Sequence, residues 1–88
     1  MGDYRTLVVT REFLRSLPAL SAADQRRVLR ALDLLDEDER HPSLRVHQLQ
    51  GDLAGQWSAA ASRSLRVTFE RLPNGRKRLV EASQHYGD

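Results

Sequence analysis

Three observations predict an α+β fold of order β-α-α-β-β-β. Apolar residues recur at helical spacing in the first half of the chain, around Phe13 and from Val28 to Leu35. In the second half they alternate with polar residues instead, most clearly at Leu65, Val67 and Phe69. Between the two halves stand His41-Pro42, Gly51 and Gly55, which break both patterns. The whole chain of 88 residues, 1–88, reads as one small domain: it has no internal repeat and no linker long enough to divide it.

Residues 4–9 are rich in β-formers and predict a first strand. Thr10 then caps a short helix with Phe13, Leu14 and Leu17 on one face, and Pro18 ends it. Ser21-Ala22-Ala23-Asp24 resembles a capping box and opens a second helix over 22–38, whose apolar stripe is Val28, Leu29, Leu32 and Leu35. Arg26, Arg27, Arg30 and Asp33 occupy its other side. Four acids, Asp36 to Glu39, crowd the C-terminal end of this helix, oppose its dipole and predict fraying. Leu44, Val46 and Leu49 predict a short strand or an extended segment over 44–49. Residues 57–62, 64–71 and 78–84 predict three strands in an antiparallel meander, with the helices on one face.

The last hairpin has a register to be read. Its turn, Leu72-Pro73-Asn74-Gly75-Arg76, fits either a type I-based turn or a G1-bulged loop. Matching apolar partners pairs Phe69 with Val80 and Val67 with Ala82, which requires an even-length loop. Ser64, Arg66 and Thr68 then lie beside His85, Ser83 and Glu81, so a guanidinium, an imidazole and a carboxylate share one sheet surface.

Composition narrows the function classes. No stretch approaches the roughly 20 apolar residues of a membrane span, and Leu7-Val8-Val9 is too short for a signal-peptide core, so a cytoplasmic protein without a membrane partner is expected. With no cysteine, disulfides, thiolate metal sites and cysteine nucleophiles are excluded, and a binding partner that supports the small core is expected. The formal charge is +2, divided as −1 over 1–43 and +3 over 44–88. The basic second half suits a polyanion or an acidic partner. Thirteen of the fourteen basic residues are arginine, the side chain that forks onto phosphate, although genome composition produces the same bias.

The order of elements, together with Leu44-Arg45-Val46-His47-Gln48-Leu49-Gln50-Gly51, Gly55-Gln56-Trp57-Ser58, Leu65-Arg66-Val67-Thr68-Phe69 and His85-Tyr86, resembles the RelE/ParE-type toxins of bacterial toxin–antitoxin systems. The likeness runs from Phe13 to Tyr86. Within the group, Trp57-Ser58, Arg66 and His85 make the chain most similar to YoeB-like and YafQ-like ribosome-dependent endoribonucleases.

The resemblance implies a twisted sheet whose open face receives messenger RNA on the ribosome. It also implies a cognate antitoxin that wraps the toxin and masks that face in a hetero-oligomer, and no metal or cofactor. Carried over, Arg66 stabilises the transition-state phosphate, His85 is the general acid or base and Tyr86 positions RNA. The group's usual glutamate falls at Ser43 or its neighbours, and its usual arginines after Trp-Ser fall at Ala59-Ala60-Ala61. Glu81 is the carboxylate that the hairpin register offers as a base instead. Arg63, Lys77 and Arg78 are the expected RNA contacts.

Chemistry gives these residue types a reason. Attack of a 2′-hydroxyl on the adjacent phosphate needs one proton removed, one delivered and negative charge stabilised, roles that suit imidazole and guanidinium. Blander readings stand beside this one: Arg66 as the solvent side of an alternating strand, Trp57 as a core aromatic, Glu81 in a cross-strand ion pair, and His41 and His47 as structural. The alternative functions are a ParE-type toxin that inhibits DNA gyrase by binding, and a non-catalytic relative that binds an antitoxin.

Overall fold

The structure, a computed structural model, describes residues 3–84. Strands β1 (Leu7–Val8), β2 (His47–Gln48), β3 (Gln56–Ala60), β4 (Leu65–Arg71) and β5 (Lys77–Gln84) form one sheet in the order β1-β5-β4-β3-β2. All neighbours are antiparallel except β1 and β5. Helices α1 (Arg11–Ser16) and α2 (Ala22–Glu37) precede β2 in the chain and cover one face of the sheet. The predicted α+β architecture is therefore present, and the short strand or extended segment expected over 44–49 is realised as the two residues of β2. Leading into it, Pro42–Leu44 forms a 3₁₀ turn and Arg45 adopts a left-handed backbone, φ 46°.

Both helices start where a side chain can satisfy the free backbone donors of a first turn. Thr10 Oγ1 accepts from Phe13 N at 3.0 Å, and Ser21 Oγ accepts from Asp24 N at 3.1 Å. Phe13 of α1 and Val28, Ala31, Leu32 and Leu35 of α2 enter the core. Leu14 and Leu29, both expected inside, are exposed at 46% and 36%. Helix α1 has less than two turns, and Phe13 is its one buried residue. In α2, Ala31 takes the inward position beside Val28 that Leu29 was expected to share.

The edge of β5 beyond its short pairing with β1 is covered by α1. Thr10 Oγ1 donates to Leu79 O at 2.8 Å, and Ser16 Oγ accepts from Ala82 N at 2.9 Å. Strand groups otherwise open to another chain are thereby satisfied.

The predicted fraying of α2 is corrected by Asp36. Its carboxylate accepts from Arg5 N at 3.1 Å, Thr6 N at 2.6 Å and Thr6 Oγ1 at 2.7 Å, so the acid pins the helix end to the residues before β1. Thr6 Oγ1 in turn accepts from Lys77 Nζ at 3.1 Å, which places a buried ammonium one hydroxyl away from the carboxylate. Burial works against the charged form of Asp36, but the Thr6 and Arg5 donors outweigh it and hold its carboxyl below the ordinary range.

A carboxyl lowered by folding stabilises fully above its unfolded value, about pH 4, and the contribution is lost as pH falls through the folded value. Asp36→Asn is expected to flatten this acid limb in thermal melts, and an unchanged limb would remove Asp36 from the account. Thr6→Val, which strands the Lys77 ammonium, is expected to cost about 2 kcal/mol in urea unfolding.

The β4–β5 hairpin corrects half of the predicted register. Val67 pairs with Ala82 as expected, Thr68 with Glu81 and Arg66 with Ser83, but Phe69 pairs with Leu79 rather than Val80. The turn explains why. Leu72 N donates to Arg76 O at 2.8 Å, and Gly75 has φ 87°, a three-residue loop ending on a left-handed glycine. That odd loop and the even register farther along are reconciled by an extra residue, Val80, bulged between Thr68/Phe69 and their partners. The bulge lets both Leu79 and Ala82, three positions apart, face the core.

Candidate functional site

At the end of the sheet where the β3–β4 connection faces α2, a cleft of about 690 Å³ opens. Five arginines line it: Arg27 and Arg30 from α2, Arg45 from the left-handed turn, Arg63 from the connection and Arg66 from β4. Among the described residues that line it there is no Asp or Glu. So many guanidinium groups around one hollow without a carboxylate make a site for an anion carrying several charges.

Arg66 is the best-fixed member. It is half-buried, and its Nη1 donates to Ser62 O at 2.8 Å and to Leu65 O at 3.3 Å. Among the described residues, Nε and Nη2 have no protein acceptor, so the second fork of the guanidinium is free for a phosphate. Arg27 is partly committed, bonding Asp24 Oδ1 at 2.7 Å with its side chain 50% exposed. Asp24 also accepts from Gln84 Nε2 at 3.0 Å, which ties the last described residue of β5 to the first turn of α2.

The structure separates the expected site residues into three groups. Arg63 and Arg66 come together in the cleft. Glu81 and Arg78 are exposed elsewhere on the open side of β5: Arg78 is paired with the Glu70 carboxylate, while Glu81 offers its backbone oxygen to Thr68 Oγ1. Among the described residues the Glu81 carboxylate makes no ion pair, so the cross-strand pair expected for it belongs to Arg78 and Glu70. Lys77 is a correction: it is 6% exposed and its ammonium is held by Thr6, because the odd turn sets it opposite Arg71 with its side chain inward. Its ammonium is turned away from the surface that an RNA would approach. His85 and Tyr86 lie outside the described residues.

Arg27, Arg30 and Arg45 were not singled out from the sequence as site residues. A signal for the first two exists: Arg27, Arg30, Ala31 and Leu34 form one helical stripe, and all four line the cleft. They supply from the helix the cations that Ala60 and Ala61, also lining residues, do not supply from the sheet.

His41 and His47 make local contacts. His41 Nδ1 accepts from Ser43 N at 3.2 Å and lies 2.8 Å from Ser43 Oγ, and His47 Nδ1 is 2.9 Å from Arg45 O. Trp57 packs half-buried against the core, with the Arg71 guanidinium 4.2 Å from its ring centre and Arg71 bonded to Glu39 at 3.0 Å. Among the described residues no three His, Asp or Glu side chains are grouped as metal ligands.

No protein-family model and no curated protein sequence matches the chain. Solved structures do. A YoeB/ParE toxin from Agrobacterium tumefaciens matches with a TM-score of 0.70 at 17% identity, over 93% of this chain and 100% of that one. YafQ from E. coli strain BL21(DE3) matches with a TM-score of 0.72 at 14% identity, over 91% of this chain and 92% of that one. The archaeal RelE in its RelE–RelB complex from Pyrococcus horikoshii OT3 matches with a TM-score of 0.70 at 19% identity, over 97% of this chain and 98% of that one. Two helices on one face of a five-stranded, mostly antiparallel open sheet thus give this chain the RelE/ParE-type toxin fold.

Proposed function

We propose that the chain is the toxin of a toxin–antitoxin pair and acts as a ribosome-dependent endoribonuclease in the cytoplasm. The observation that carries this reading is the cleft of five arginines, with no acid among its described lining residues, around a half-fixed Arg66. A messenger RNA backbone is a polyanion of matching charge, and an arginine held by backbone carbonyls is preorganised for a phosphate that gains negative charge in the transition state. In this assignment Arg66 binds that phosphate, Arg63, Arg45 and Arg30 hold its neighbours, His85 delivers the proton to the leaving 5′-oxygen and Tyr86 positions the RNA. Glu81 and Arg78, outside the cleft, have no catalytic part. An antitoxin partner is supported by the fold neighbours, several of which are toxin–antitoxin complexes.

A second reading, a ParE-type toxin that inhibits DNA gyrase by binding, is favoured by one observation: among the described residues the cleft lining holds no carboxylate to act as a base. Purified protein added to mRNA-programmed ribosomes separates the two. Cleavage within the message, leaving a 5′-hydroxyl fragment, is the expected result. An intact message together with inhibited supercoiling by gyrase would replace the nuclease reading with the second.

A further inference from the structure

We propose that Ser43 and His41 form the proton acceptor of the cleft. This rests on the nuclease reading and adds to it the group that removes the 2′-proton. Among the described residues lining the cleft there is neither carboxylate nor imidazole, yet one lining hydroxyl, Ser43, is bonded to a base.

The geometry sets the direction of that bond. The Ser43 backbone N–H, which can only donate, reaches His41 Nδ1 at 3.2 Å, so Nδ1 presents its lone pair and the ring proton sits on Nε2. The Ser43 hydroxyl, 2.8 Å from the same Nδ1, therefore donates as well. Its oxygen lone pairs are left to accept a proton on the cleft side, where Arg45, Arg63 and Arg66 gather the phosphate.

The step balances without a co-reactant. The 2′-hydroxyl proton passes to Ser43 Oγ as the Ser43 proton passes to His41 Nδ1. The 2′-oxygen forms its bond to phosphorus, and the bond from phosphorus to the 5′-oxygen breaks. The leaving oxygen takes up one proton, the role assigned above to His85, and the exposed His41 ring returns its own to solvent. Ser43 touches substrate in this scheme, and His41 acts through it.

The charged groups around His41 come from more than its own turn. Glu39, Arg40, Arg45 and Arg71 share the neighbouring hollow with it, and Glu39 is already paired with Arg71.

The test uses single-turnover cleavage on mRNA-programmed ribosomes with Ser43→Ala, Ser43→Thr and His41→Asn. Asparagine keeps an acceptor for the Ser43 N–H and so preserves the turn, but it is no base. His41→Asn and Ser43→Ala are expected to slow cleavage about 100-fold or more at saturating protein, with half-saturating concentration unchanged, and Ser43→Thr, which keeps the hydroxyl, should recover part of that loss. His41→Asn should also recover rate with added imidazole, which a merely structural change would not produce. Parent-like cleavage by His41→Asn and Ser43→Ala overturns this inference alone. No cleavage by the parent protein overturns it together with the nuclease reading.

Discussion

Arg66→Ala is expected to lower the single-turnover rate of mRNA cleavage by about 10²–10³-fold, the usual cost of removing one preorganised charge donor. Arg66 is the one cleft arginine fixed by two backbone carbonyls, so its charge is already in place when the phosphate becomes more negative. The loss should fall mainly on the rate at saturation, because Arg27, Arg30, Arg45 and Arg63 still gather the backbone. Arg66→Lys should restore only part of the rate, since an ammonium lacks the planar fork. Arg30→Ala, by contrast, should weaken binding and its salt dependence with little change at saturation. A full-rate Arg66→Ala protein would remove Arg66 from the chemistry.

Phe69→Ala is the substitution expected to cost the fold most, about 3–5 kcal/mol. Phe69 is fully buried, pairs with Trp57 on one side and Leu79 on the other, and lies under the Arg71 guanidinium, 5.6 Å from its ring centre. Against a total of about 5–15 kcal/mol for an ordinary domain, that loss approaches unfolding. Urea unfolding followed by the fluorescence of Trp57, the single tryptophan, measures it directly. A loss below about 1 kcal/mol would mean that the site collapses around the cavity far better than cores usually do.

The parts of the fold carried by local chemistry were legible in the sequence. Thr10 and Ser21 announce helix starts because their hydroxyls satisfy first-turn donors, and the alternation at Leu65, Val67 and Phe69 announces a strand with one buried face. What escaped depended on partners distant in the chain. The acids at the end of α2 read as destabilising until Asp36 meets Thr6, thirty residues earlier. The hairpin register read from apolar matching alone missed Val80, because a bulge has no pattern of its own: the odd turn and the inward positions of Leu79 and Ala82 demand it jointly.

The site divides in the same way. Arg66 and Arg63 were legible from their places around the β4 start, whereas Arg27 and Arg30 looked like a solvated helix face until the β3–β4 connection came to lie opposite them. Lys77 was misread because a basic run after a turn suggests a solvated tip, and only the register reveals that its ammonium points inward to Thr6. His41, read as structural, gains interest from its bond to Ser43, which lines that cleft.

The most direct measurement of the central claim is to induce the protein without a partner and map the 5′ ends of cellular messages alongside gyrase-dependent DNA breaks. The account predicts new 5′-hydroxyl ends in phase with codons, dependent on Arg66, and no excess of DNA breaks. Growth arrest with intact messages and accumulated DNA breaks would contradict it.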